Sequence, residues 1–139
     1  MFKNILIPVD FSDANKKALD IAVSLARESN AAITLLHVIE AISDADFVEI
    51  KDFYMKLEKR ASQEMDALAG PFAASGITIR QKIVYGNRAG QILGFALERK
   101  VDLIVLSSRR ISLDSPVEGW GTISHKVGIL SQCPVLLVK

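Results

Sequence analysis

VDLIVLSSRRISLDSPVEGWGTISHKVGILSQCPVLLVK, residues Val101 to Lys139, decides how this chain is read. Val101 to Leu106 is apolar apart from Asp102 and too short for a helix, which predicts a strand covered on both faces. Polarity then changes abruptly. Ser107, Ser108, Arg109 and Arg110 stand where that strand should end, and Gly119-Trp120-Gly121-Thr122 stands where a helix running to about Leu130 should begin. Pro134 to Val138 reads as a last strand. A parallel sheet places its ligand crevice beyond the carboxyl ends of its strands, and a helix start with free N–H groups attracts anions. A site is therefore expected between these two polar stretches.

Outward from this stretch, strands and helices alternate. Lys3 to Val9 is a first strand, and Ser12 or Asp13 can cap a helix running to about Glu28, whose Ala18, Ile21, Ala22, Leu25 and Ala26 form a buried stripe. Asn30 closes it. Ala31 to Ile39 is near-continuously apolar, as an inner parallel strand should be. After a loop from Glu40 to Asp46, the longest helix is expected over Phe47 to Ala74, broken or kinked near its end by Gly70-Pro71. Ile77 to Tyr85 alternates apolar and polar and reads as an edge strand. Gly86-Asn87 turns the chain into a helix from Arg88 to about Arg99, carrying Ile92, Leu93, Ala96 and Leu97. The order β-α-β-α-β-α-β-α-β implies right-handed crossovers and an α/β fold, a five-stranded parallel sheet with helices on both faces.

Composition narrows the functional classes. At 139 residues the chain is expected to form one domain, residues 1–139, and 17 Lys and Arg against 16 Asp and Glu give a net charge of +1, no field for drawing in nucleic acid. The apolar runs are far shorter than a membrane span, and Met1 to Asn4 leads directly into a strand, so a cytoplasmic location is expected. The single cysteine, Cys133, reads as a small buried hydrophobe. His37 and His125 are far apart and lack Cys or His partners at zinc spacing, so no metal site is expected. His37 reads as a core or interface histidine, and Trp120 as a packing residue.

In a doubly wound sheet the crevice opens where the winding reverses. If the first and fourth strands are neighbours there, Asp10 and Ser12 face Ser107 to Arg110. There is no GxxxxGK[ST], and the first βα turn, Pro8 to Asp13, has no glycine for a dinucleotide fingerprint. Gly119-Trp120-Gly121 is a bare GxG. No nucleophile stands beside a base, so no catalytic residue is assigned.

Taken together, NILIPVDFSD at Asn4 to Asp13, LLHV at Leu35 to Val38, VDLIVLSSR at Val101 to Arg109, GTISHKV at Gly121 to Val127 and CPVLLVK at Cys133 to Lys139 resemble the universal stress protein family from end to end. The resemblance implies an adenine nucleotide alpha hydrolase-like, Rossmann-like architecture, a homodimer through the last strand, Pro134 to Val138, and binding of ATP or another adenine nucleotide, with magnesium a potential companion. It implies a first-strand tip, Pro8, Val9 and Asp10, against the adenosine moiety, and the backbone of Val38 against the adenine. The phosphate loop would comprise Ser107, Arg110, Gly121 and Thr122, and Leu106, Arg109 and Ile123 complete the expected nucleotide-binding residues.

The family's phosphate loop reads glycine, two residues, glycine, nine residues, glycine, then serine or threonine. Here Ser107 and Arg110 replace the first two glycines, and Gly121-Thr122 follows after ten residues. Glycine in such a loop lets the backbone approach phosphate oxygens. Arg110 could fill that space or bind a phosphate with its guanidinium. Three readings follow: a nucleotide-binding sensor or regulatory module, a dimeric interaction protein that binds no nucleotide, and a slow ATP hydrolase.

Overall fold

The computed structural model describes residues 1–40, 47–110, 112–114 and 122–139, with backbone only at 47–49. The strands are β1 (Asn4–Pro8), β2 (Ala32–Ile39), β3 (Ile79–Tyr85), β4 (Leu103–Ser107) and β5 (Val135–Val138). The helices between them are α1 (Ala14–Ser29), α2 (Phe47–Ala69), α3 (Arg88–Glu98) and α4 (Ile123–Leu130). The strands form one five-stranded sheet in the order β3-β2-β1-β4-β5, and every pairing is parallel. Winding reverses between β1 and β4. The carboxyl ends of those two strands therefore bound the crevice position of an open parallel sheet.

Two apolar layers hold the sheet. On one face Ile5, Ile7, Ile33, Leu35 and Val105 pack with Ala18, Leu19, Ala22 and Val23 of α1 and with Met65 of α2. On the other, Leu6, Leu36, Ile104 and Leu106 pack with Ile92 and Ala96 of α3 and Val127 of α4. Alternate residues of each inner strand thus serve opposite layers, which is why these strands are mostly apolar. At the amino end of the sheet, the Asp102 carboxylate accepts from the Lys3 and Asn4 amides at 2.8 and 3.0 Å, which accounts for the acid in an otherwise apolar run.

Several expectations need correction. The expected break at Gly70-Pro71 ends α2 at Ala69, short of Ala74, and Gly70–Phe72 forms a 3-10 turn, because the Pro71 ring and missing N–H end the α-helical ladder. Asp13 occupies the N-cap of α1, but neither it nor Ser12 caps through its side chain. The buried stripe of α1 runs through Leu19 and Val23, with Ile21 and Leu25 only partly covered. Leu97 of α3 is 58 % exposed and faces away from the core. Cys133 is half-buried, with its Sγ 3.4 Å from the Ser131 hydroxyl. The β3 strand does lie at an edge, and Asn30 closes α1 in the left-handed region at φ 57°, a conformation that asparagine tolerates.

Candidate functional site

The β1 tip is shaped by its own side chains. Phe11 has a positive φ of 66°, a conformation that needs outside support in a residue with a Cβ. Asn15, in the first turn of α1 and only 1 % exposed, provides it: its Oδ1 accepts from the Asp10 and Phe11 amides at 3.0 and 2.8 Å. Its Nδ2 donates to the Ser107 hydroxyl at 3.1 Å and so ties the tip of β1 to the tip of β4. Asp10 Oδ1 accepts from the Ser12 amide at 2.9 Å.

His37 secures the same tip from the β2 side. Its Nδ1 lies 2.8 Å from the Val9 carbonyl oxygen, and because a carbonyl can only accept, that nitrogen carries the proton. Its ring also packs on Phe11, with centroids 4.4 Å apart.

Beside these tips lies a crevice of about 70 Å³. Pro8, Val9 and Asp10 line it from β1, Leu36 and Val38 from β2, and Leu106 and Ser107 from β4. Helices supply Asn15, Arg88, Ile92, Ile123 and Ser124. It adjoins a wider crevice of about 550 Å³ toward α2, where Phe11, His37, Phe53 and Arg60 contribute, and Asp10, Val38 and Arg88 are common to both. The combined space is polar at its mouth and apolar at its floor, the arrangement typical of small-molecule sites.

The Asp10 carboxyl is pulled two ways. Partial desolvation raises its pKa, but hydrogen bonds from Ser12 and from the backbone, with the Arg88 charge, outweigh it and hold the pKa below the ordinary 3.8. Asp10 is therefore an anion at neutral pH, set to accept hydrogen bonds from a ligand's hydroxyl or amino groups.

The start of α4 forms a second polar group. Thr122 caps the helix, its Oγ1 accepting from the His125 amide at 3.4 Å and lying 2.9 Å from the Ser124 hydroxyl. Ser108, buried, donates to Ser124 at 3.2 Å, and the Lys139 ammonium donates to Ser108 and to the Arg109 carbonyl at 3.0 and 3.2 Å. A lysine thus anchors the start of the loop after β4.

A family model described as the universal stress protein family matches residues 1–139. The chain belongs to the universal stress protein family. Universal stress protein YxiE of Bacillus subtilis (strain 168) is 34 % identical over 149 residues, with both chains covered in full. The structure of universal stress protein UspA from Lactobacillus plantarum is 26 % identical, with a TM-score of 0.80 and coverage of 99 % of this chain and 98 % of that one. More distant in sequence, at 21 % identity, a universal stress protein in complex with cAMP shares the fold with a TM-score of 0.71, covering 99 % of this chain and 96 % of that one.

Of the residues singled out in this universal stress protein, Pro8, Val9, Asp10, Val38, Leu106, Ser107 and Ile123 line the crevice together. Arg109 and Arg110 are exposed and, like Thr122, are not among its lining residues. Gly121, Gly119 and Trp120 lie outside the described residues. Arginine does reach the crevice, but from the start of α3 rather than from the loop after β4. Asn15, Arg88 and Ser124 were missed, and each carried a signal. Asn15 and Ser124 are polar residues on buried helix faces, and Arg88 is a cation at a helix amino end, where the macrodipole disfavours it unless an anion is near.

Proposed function

We propose that this universal stress protein binds an adenine nucleotide in the crevice at the β1 and β4 tips and acts as a regulatory module of the stress response rather than as an efficient catalyst. The observation that carries this reading is the pairing of opposite charges across an apolar floor. Asp10 and Arg88 border both crevices, with Val38, Leu36, Ile92 and Leu106 below. In this assignment the floor takes the purine, Asp10 accepts from the ribose hydroxyls or the base, and Arg88 takes a phosphate through its planar fork. Asp10 is the sole carboxylate among the described lining residues of the smaller crevice, so magnesium would arrive with the phosphates. Solved structures of the same fold in complex with cAMP and dAMP and with AMP bound support the ligand class.

One observation favours a second reading. The part of the crevice between the β1 and β4 tips is about 70 Å³, below the roughly 300–1,000 Å³ usual for ligand pockets, so a nucleotide must extend into the adjoining crevice of about 550 Å³. With two loop glycines replaced, this would suit an interaction protein that takes no nucleotide. Titration calorimetry with ATP and magnesium on ligand-stripped protein separates the two: saturable heat supports the first reading, and none at millimolar ATP supports the second.

The regulatory reading includes a homodimer through β5. This edge strand leaves Leu136 and Leu137 38 % and 40 % exposed. A bare apolar edge is an aggregation hazard that pairing with a second copy removes.

A further inference from the structure

A second concave site lies at the opposite end of the sheet from the crevice, and its chemistry is cationic. On β3, Ile79 and Ile83 pack toward α1 and α2, while Val84 packs toward α3. The period of two therefore sends Arg80 and Lys82 to the α3 side, where they stand in register with Thr34 and Leu36 of β2. The α3 helix starts near the carboxyl end of the sheet and ends at Glu98, so Arg99 emerges at the same end as Arg80. The result is a groove of about 430 Å³ lined by Arg80, Lys82, Arg99, Thr34, Phe95 and Asn4, with no carboxylate among its lining residues.

Three cations around one space repel one another unless an anion enters. Both oxygens of Asp102 accept from backbone amides, and Glu98, which lines the adjoining crevice together with Lys82 and Arg99, is not among the residues that line the groove itself. Among the described residues, Arg80 and Lys82 make no ion pair. Arg99 is positioned in advance, its guanidinium 5.7 Å from the centroid of the Phe95 ring. Two arginine forks suit oxyanions that accept two parallel hydrogen bonds, and the volume falls in the range of small-ligand pockets. A net charge of +1 supplies no wider field for a nucleic acid, so the charge is local to the groove.

We infer that this groove binds a small anion carrying more than one phosphate or equivalent charge, at a site separate from the nucleotide crevice and independent of it. Two-dimensional ¹H–¹⁵N NMR with inorganic pyrophosphate as the probe tests this. Saturable shifts are expected at the amides of Thr34, Arg80, Lys82 and Arg99, weakened at least about tenfold in Arg80→Ala/Arg99→Ala and unchanged in Arg88→Ala. Retained peak dispersion in the double variant shows that it still folds. The proposal is overturned if no saturable shift occurs at those amides up to about 10 mM, or if chloride at equal ionic strength reproduces the shifts. It is also overturned if an acidic peptide saturates the groove and pyrophosphate does not, since the surface would then be a protein-docking face.

Discussion

Asn15 joins Ser107 across the reversal of the sheet, its Nδ2 3.1 Å from the hydroxyl, while its Oδ1 holds the Asp10 and Phe11 amides. One buried side chain thus fixes both strand tips that border the crevice. Asn15→Ala leaves two amides and a hydroxyl, all part-buried, without their partner, and an unsatisfied group costs about 1–3 kcal/mol where water cannot reach it. Urea unfolding should show a stability loss of at least that size. A loss confined to a few tenths would mean that water replaces Asn15.

Asp10 gives a pH signature. Its folded pKa lies below 3.8, so its contribution to stability is fully present above that value and is lost as pH falls through the folded pKa. Asp10→Asn removes this contribution. The stability difference between wild type and variant should be constant near neutrality and should shrink below pH 3.8, measured by thermal unfolding across the acid range. An undiminished difference at about pH 2 would show that the carboxylate's hydrogen bonds are not the source.

Tyr85 gives the opposite limb. Partial desolvation of a residue that is still 38 % exposed, a hydrogen bond to Glu58, the Glu58 charge and Tyr54 push its pKa up to about 12, and its ring meets Tyr54 of α2 edge-on at 5.5 Å. Stability from this contact is present below the ordinary tyrosine pKa of 10.0 and is lost as pH rises toward 12. Absorbance titration of Glu58→Gln should show Tyr85 ionising at lower pH than in wild type. An unchanged titration would remove Glu58 as a cause.

Much of the fold was legible in the sequence because burial demands differ between strands. The near-continuous apolar runs of β2 and β4 report two covered faces, the alternation in β3 reports one wet face, and Gly70-Pro71 reports the end of α2. The site was half legible. Asp10 and Ser107 follow from topology, since strand tips at a reversal must meet. Asn15, Arg88 and Ser124 come from helices that read as scaffold, and a polar residue on a helix reveals its role only once its neighbours across the sheet are known. The loop glycines drew attention to Arg110, while the cation that reaches the crevice is Arg88.

That distinction is measurable. Arg88→Ala should weaken ATP binding about tenfold or more and leave adenosine within about twofold, since a charge-assisted hydrogen bond to phosphate is lost. Arg110, exposed and outside the lining, should change ATP affinity far less when replaced by Ala. The reverse ranking would move the phosphate site to the loop after β4.

Leu136→Asp/Leu137→Asp should convert a dimer to a monomer in sedimentation velocity, because carboxylates would face one another across the paired edges. Unchanged sedimentation would place the contact between copies elsewhere.

The most direct measurement is titration calorimetry of ATP with magnesium into wild type and Asp10→Ala, each freed of co-purified small molecules. The account predicts one saturable site per chain in wild type and at least about tenfold weaker binding in Asp10→Ala. Absence of binding in wild type at millimolar ATP, or equal affinity in the two proteins, would contradict it.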